Sequence, residues 1–498
     1  MASFKSKIRE MKHFLRQNRF ILLVLFVTLL FRLPSLFEPY WYGDEGIYLT
    51  IGLALRKGFL LYRDVFDNKP PLFYLLPAAV NGTIFWFRFL LLSSVLASIY
   101  FFYQMSQKLL SGKEIPAKAV TVIFAALTTL RLLEGNIANA EIFILLPTVL
   151  GLFLVFSNQK EKPFLYFLAG LLLGLGFLLK LPALFDFLAL MVFLLFFTGG
   201  KIIKIGRKEI LLVLGYLLPF VFTCLFFWLK GILGLFLNSA IVQTFGYLSS
   251  WKTGSHVFSL IALLKTDLAI KGTIILSLLF LFWILRKKLL PAALFVFIWL
   301  LFSLFGATLS GRPYPHYLVQ IIPPLTLLAG LIFLEKKKTI TLIAASFFLL
   351  LGLTLYRYRF WYYPTISYYQ NFAQFALGQK TKNDYFSYFG KNVPALYRLG
   401  QIIDTSSLPN EKIFIWADEP SIYALSRRLP ATPYLVAYHI LDLHREEKTL
   451  TKLEANKPKL IIVDEKIKRL PSLVIFIQNN YLEMKSMNNF TVYLKRGI

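Results

Sequence analysis

Cysteine is all but absent: the 498 residues include one, Cys224, set inside an apolar run. No intramolecular disulfide can form, and a cysteine metal site has no second thiolate to draw on. Charge is scarce too, at 16% of residues, with 26 acids against 54 bases. A soluble chain carries nearer ~25%. A Gly-rich phosphate loop after a strand, an HExxH and a GxSxG are all missing, so nucleotide-driven, zincin and α/β-hydrolase chemistry have nothing to stand on. No internal repeat of the inverted kind, with paired broken helices, is visible, and low-complexity sequence is absent.

Apolar residues fill the space instead, at 57% of the chain, with 17% aromatic. They come in runs of roughly 17 to 25, each long enough to cross the ~30 Å hydrocarbon core as a helix. Candidate spans are 20–37, 83–106, 117–133, 139–157, 163–179, 181–199, 209–229, 268–285, 290–309, 316–334 and 339–356. This predicts an all-α integral membrane bundle of about eleven helices. The formal charge of +28 falls in short clusters between the runs. It therefore reads as the positive-inside rule and not as a nucleic-acid surface.

The N-terminal stretch MASFKSKIREMKHFLRQNR is basic and no small-residue cleavage site follows its apolar run, so a retained first helix with a cytoplasmic N-terminus is expected. Every second connection should then be basic. Lys108, Lys113 and Lys118 satisfy this, as do Lys160 and Lys162, Lys201 to Lys208, Arg286 to Lys288, and Lys336 to Lys338. The outer connections are those with WYGDEGIYLT and NKPPLFY, EGNIANAE, LLKLP, the 230–267 segment and SGRPYPHY. The expected localisation is multi-pass in the cytoplasmic membrane, with these loops and the C-terminal part extracytoplasmic.

The chain divides into a transmembrane domain over 1–356 (first outer loop 38–82, later outer loop 230–267), an interfacial aromatic linker over 357–404, and a small soluble α/β domain over 405–498. In the linker, LYRYRFWYYPTISYYQ suits a headgroup-level belt. Beyond it, EKIFIWAD, PKLIIVDEK and NFTVYLKR read as strands, while SIYALSRR, HREEKTLTKLEANK and PSLVIFIQNNYLEM read as helices.

The first outer loop holds the densest chemistry. Asp44 and Glu45 follow Tyr40, Trp41 and Tyr42, and Lys69 is followed at once by Pro70 and Pro71. The prolines stiffen the backbone and fix where the lysine points. A fixed ammonium at the bilayer surface suits a lipid-linked phosphate, and a carboxylate beside it can accept a proton from an attacking hydroxyl.

DEGIYLTIGLALRKGFLLYRDVFDNKPPLFYLL resembles the first outer loop of GT-C integral-membrane glycosyltransferases that use polyprenyl-phosphate sugars. It is most similar to the bacterial branch resembling protein O-mannosyltransferases and the lipid A aminoarabinose transferase (glycosyltransferase family 39-like). NIANAEIFILLP, GLLLGLGFLLKLPAL, GRPYPHYLVQIIPPL and IWADEPSIYALSRRLPATPY resemble later segments of that family in the same order. The resemblance implies a GT-C fold whose 1–356 domain is catalytic, and an inverting hexosyl- or pentosyltransferase of the cell envelope. Its acceptor would be a hydroxyl on protein, lipid or glycan, with mannosyltransferase-like protein glycosylation among the implied activities. It implies Asp44 as general base or acceptor-orienting residue, with Glu45 and Glu141 shaping the site. Lys69, Lys180 and Arg312 would neutralise the donor phosphate, and Tyr48, Tyr62, His316 and Tyr317 would line the cleft.

Plainer readings stand beside these. Glu141 suits a helix end, Lys180 can snorkel, Arg312 can be an interfacial cation, and His316 can start a helix. Asp64 and Asp67 suit turns beside prolines, and Asp418 and Glu419 a turn after a strand. No cofactor is required; a divalent ion between Asp44 and Glu141 is compatible with the family, although acids alone do not make an oxygen-ligand site. Expected partners are the lipid-linked donor, the acceptor and membrane lipid, with no nucleic acid. The alternative is a polytopic transporter or lipid flippase, which would favour ionisable groups in mid-span; Asp186 is the one residue singled out there. Acceptor choice is expected in 230–267, including QTFGYLSSWKTGSHVF, and in the C-terminal domain.

Overall fold

The computed structural model describes residues 2–197, 202–243, 267–334 and 338–497. Among them, seven helices are long and apolar enough to cross a membrane, including Ile84–Leu109, Ala140–Ser157, Pro291–Thr308 and Pro315–Leu334. The other expected spans coincide with shorter helices: Glu114–Thr129, Pro163–Leu179, Leu181–Phe197 and Ala269–Leu285. The chain is therefore a multi-pass membrane protein. QTFGYLSSWKTGSHVF lies outside the described residues apart from its first residue, Gln243.

Small residues set how closely the helices approach. A Cβ on Gly170 would lie 2.1 Å from the Leu212 carbonyl oxygen, and one on Gly174 would lie 2.3 Å from that of Tyr216. The Gly-rich face of Pro163–Leu179 thus lies directly against the backbone of Ile202–Leu229, the small-xxx-small packing that serves where water supplies no drive for helices to associate. The Pro163–Leu179 helix ends with Lys180 in an extended conformation, so the close packing also fixes where that lysine emerges.

The first outer loop is itself folded. Gly43–Arg56 is a helix with Asp44 and Glu45 in its first turn, where the helix dipole favours carboxylates. Its IYLTIGLA segment is buried, yet 14 residues are too few to span. A second helix, Pro71–Ala79, starts on Pro71, whose missing N–H costs nothing at that position. Between the two, Tyr62 takes a left-handed φ of 70°, and its hydroxyl donates to the Lys69 carbonyl at 2.8 Å.

The aromatic linker is largely helical, with Thr365–Ala376, Lys382–Ser387 and Val393–Ser406. Tyr356 and Tyr362 are exposed as a headgroup belt requires, but Tyr363, Tyr368, Tyr388, Phe389 and Trp41 surround the Arg131 guanidinium at 5.1 to 5.5 Å. Tyr363 and Tyr368 of the collar, with Tyr388 and Phe389 further along, therefore pin the linker to the membrane domain by cation–π contact.

The C-terminal domain carries a four-stranded sheet: β1 (Ile413–Trp416), β2 (Leu460–Asp464), β3 (Tyr481–Met487) and β4 (Phe490–Lys495), in the order β1-β2-β4-β3. β1 and β2 are parallel, and the other neighbours antiparallel. Alternate residues of β1 and β2 face opposite sides, and both sides are covered. Ile413, Ile415, Leu460 and Ile462 join the core shared with the membrane domain. Phe414, Trp416, Ile461 and Val463 join a second core that includes Phe66 of the first outer loop. One expectation fails: YLEM is not the end of a helix. The helix stops at Asn480 and the chain turns into β3, which pairs with β4 through a tight turn where Asn488 holds a φ of 53°.

Candidate active site

Lys69 lies between two carboxylates, 3.5 Å from Asp44 Oδ2 and 3.6 Å from Asp67 Oδ2. The Tyr48 hydroxyl donates to Asp44 Oδ2 at 2.8 Å, and the Tyr74 hydroxyl donates to Asp67 Oδ2 at 2.6 Å. Lys69 also sits 4.7 Å from the centroid of the Tyr48 ring. Burial pushes the Asp44 carboxyl up, but Lys69 first, and then the Tyr48 hydroxyl, outweigh it and leave Asp44 at about 2. Burial likewise pulls the Lys69 ammonium down, and Asp44 and Asp67 more than reverse it, so it stands above its ordinary value.

Opposite them, Glu141 in the first turn after Asn139 is ion-paired with Lys180. His316 Nε2 is 3.6 Å from Glu141 Oε1, and its Nδ1 is 2.5 Å from Glu134 Oε2. Tyr42 and Asn139 donate to the same Glu134 oxygen at 3.0 and 3.1 Å. Lys180 lies 5.1 Å from the Tyr317 ring centroid.

Asp44, Asp67 and Lys69 on one side and Tyr42, Glu141, Lys180, His316 and Tyr317 on the other line one cavity of about 460 Å³, with Tyr48, Tyr74, Glu134 and Asn139 behind its wall. Asp44, Glu141, Lys180, Gln243, Arg312 and Tyr438 on its wall come from the six connections that follow every second expected span. The walls carry acid and base together with aromatic rings, an arrangement able to hold a polar, anionic ligand at the end of an apolar bundle.

Asp44, Lys69, Glu141, Lys180, Arg312, His316 and Tyr317 all border the cavity. Glu45 does not. It is buried, receives Arg88 Nε at 2.9 Å and the Ala138 N–H at 2.9 Å, and is 2.5 Å from Arg88 Nη2. Its charge is consumed by Arg88, which also reaches Glu38 at 3.5 Å. Tyr48 and Tyr62 lie behind the wall and act on it through Asp44 and the Lys69 backbone. Asp64 makes a turn, accepting from the Leu60 N–H at 2.9 Å. Asp67 does both jobs, accepting from the Asn68 N–H at 2.8 Å while facing Lys69.

Sequence reasoning passes over Glu134, Arg88, Tyr438 and His439. Arg88 carried a readable signal, a lone cation inside an apolar run. Asp186 is buried as singled out, but it accepts from Trp299, Gln320 and Ser303 at 2.6, 2.9 and 3.1 Å and is a satisfied junction between helices. Among the described residues, no three His, Cys, Asp or Glu side chains converge as a metal site would need. Asp44 and Glu141 each face a lysine instead.

Residues 397–496 match the family described as "Putative competence-induced protein Ccs4 C-terminal domain". No curated protein matches the sequence. Among solved structures, ArnT from Cupriavidus metallidurans in the apo state aligns with a TM-score of 0.57 at 17% identity, covering 96% of this chain and 98% of that one. The same protein bound to undecaprenyl phosphate aligns at 0.56 and 15% identity with the same coverage. The archaeal oligosaccharyltransferase AglB from Archaeoglobus fulgidus, in complex with an inhibitory peptide and a dolichol-phosphate, aligns at 0.45 and 12% identity, covering 90% of this chain and 70% of that one. The full-length likeness to ArnT is one of fold: this chain has the GT-C fold, with a small sheet domain at its C-terminus.

Proposed function

We propose that the chain is an inverting glycosyltransferase. It moves a hexosyl or pentosyl unit from a polyprenyl-phosphate donor to an acceptor hydroxyl on protein, lipid or envelope glycan, at the outer face of the cytoplasmic membrane. The observation that carries the reading is the meeting of Asp44 with Lys69, Lys180 and Arg312 around one cavity at the end of an apolar bundle. A polyprenyl chain requires the bundle, and its phosphate requires the cations. The fold shared with ArnT, whose solved complex holds undecaprenyl phosphate, makes that lipid the donor carrier of choice.

The transfer is a single displacement. The acceptor oxygen forms a bond to the anomeric carbon as the bond from that carbon to the phosphate oxygen breaks. Polyprenyl phosphate departs with the bonding electron pair, and the acceptor proton passes to Asp44. Lys69, Lys180 and Arg312 stabilise the charge that grows on the phosphate, an effect that is large beside a low-dielectric membrane.

At about 2, Asp44 is a poor base while Lys69 faces it. An arriving phosphate competes for that ammonium, and Asp44 gains basicity as the donor binds. Among the described residues, Asp44, Lys69, Glu141, Lys180 and Arg312 gather around one cavity, which favours transfer at a surface over passage of a substrate.

The test uses purified protein and labelled undecaprenyl phosphate. Asp44→Asn is expected to retain binding and lose transfer by about a hundredfold or more, and mass spectrometry of the lipid that co-purifies with it identifies the sugar. Lys69→Ala is expected to bind undecaprenyl phosphate about tenfold more weakly. Transfer near the wild-type rate by Asp44→Asn removes the assigned base, and unchanged affinity in Lys69→Ala removes that lysine from the phosphate site.

A further inference from the structure

The short helix Ala437–Asp442 of the C-terminal domain reaches into the cavity just described, with Tyr438 and His439 on its wall. Its start is anchored to the end of β1. The Ala437 N–H donates to the Ala417 carbonyl at 3.0 Å, and the Tyr438 N–H donates to Asp418 Oδ1 at 3.1 Å. From the other side, the first outer loop inserts Phe66 into the domain's core. The Phe66 N–H donates to the Pro433 carbonyl at 2.9 Å, and its ring meets His439 edge-on at 5.5 Å. The loop that carries Lys69 and the helix that carries Tyr438 are thus parts of one packed unit.

Both side chains are placed for a ligand more than for the fold. Tyr438 is 38% exposed on the cavity wall, leaving its ring face open to a ligand. Burial in the cleft raises its phenol most, followed by Asp44 and Asp67, while Lys69 opposes them, so the hydroxyl sits in the joint field of the proposed base and its lysine. His439 Nε2 is 4.0 Å from Asp67 Oδ1, too far for a direct hydrogen bond and wide enough for a bridging hydroxyl. Its Nδ1 has no hydrogen-bond partner among the described residues. Burial lowers the imidazole below its ordinary value, so a neutral ring borders the cavity with its Nε2 edge toward Asp67.

We propose that Tyr438 and His439 form the acceptor wall of the cleft, so that the C-terminal domain selects the molecule that receives the sugar. This rests on the glycosyltransferase reading, because the wall is defined by its position beside Asp44 and Asp67. An aromatic face beside a neutral imidazole fits the apolar face and the hydroxyl edge of a polyol, and neither carries the fixed positive charge that a phosphate needs.

The test uses the full chain in host membranes lacking the native protein. Undecaprenyl-phosphate sugars, radiolabelled and supplied as a panel of hexosyl and pentosyl forms, serve as donors, and a graded amount of host cell-envelope extract serves as acceptor. Tyr438→Ala and His439→Ala are expected to raise the apparent acceptor KM about tenfold, with undecaprenyl phosphate affinity at the wild-type value. Tyr438 is partly exposed on the cavity wall, so its truncation removes little packing, and the lipid-binding arm reports directly whether the fold is intact. Acceptor KM within twofold of wild type in both variants overturns the acceptor wall while the transferase reading stands. A wild-type protein that neither binds undecaprenyl phosphate nor consumes any donor overturns the transferase reading and the wall with it.

Discussion

Asp44 and Glu45 are neighbours with separate fates, and helix geometry is the reason. Successive residues on a helix diverge by about 100°, so one carboxylate of the pair faces the cavity while the other turns into the bundle toward Arg88. The motif announces both letters alike; the partner that separates them lies on Ile84–Leu109 and appears only when the chain folds. Removing one member of a buried pair strands the other's charge and costs ~3–5 kcal/mol. Glu45→Ala is therefore expected to lower the thermal midpoint of the detergent-solubilised protein by several degrees, with undecaprenyl phosphate affinity of the folded fraction unchanged. A wild-type midpoint together with lost binding would return Glu45 to the site. Lys69 was the more legible residue, since two prolines after a lysine constrain direction from sequence alone, and the Tyr62 contact completes that constraint.

Neither the existence of helix Gly43–Arg56 nor its partners was legible, because it falls inside what reads as the first outer loop, 38–82, and is too short to register as a span. A Cβ on Gly46 would sit 2.6 Å from Ser421 Oγ and 2.7 Å from the Ser421 backbone nitrogen, so this glycine is where the C-terminal domain touches the helix. Gly43, in the same turn, has nothing within 4 Å. Alanine favours a helix over glycine by about 1 kcal/mol at an open position, and contact with backbone outweighs that where space is absent. Gly46→Ala is expected to loosen the domain and speed its proteolytic release, while Gly43→Ala leaves release unchanged or slows it. Equal release rates in the two variants would show that the domain does not depend on this contact. The same difficulty explains YLEM: its apolar pattern continues the preceding helix, and only pairing with β4 makes it a strand.

Over the whole molecule, the loop charges and the cavity make the same argument from different residues. The lysine clusters were used to assign alternate connections to one side, and the cavity gathers side chains from the other alternate connections, from Asp44 in the first to Tyr438 after the last. Loops on both faces of a membrane cannot line one cavity at one end of a bundle, so the odd connections and the C-terminal domain share a side whichever compartment that is. The positive-inside rule gives the compartment to be tested, the extracytoplasmic one. Single cysteines test it in a Cys224→Ser background, because Cys224 is the one native thiol. Asn410 in the C-terminal domain and Lys113 in a basic loop are both exposed. Asn410→Cys is expected to react with a membrane-impermeant maleimide on intact cells, and Lys113→Cys only after permeabilisation. The reverse pattern would put the cavity in the cytoplasm, where nucleotide-activated sugars are at hand and a lipid-linked donor loses its advantage. The labelling therefore tests the donor class as well as the topology.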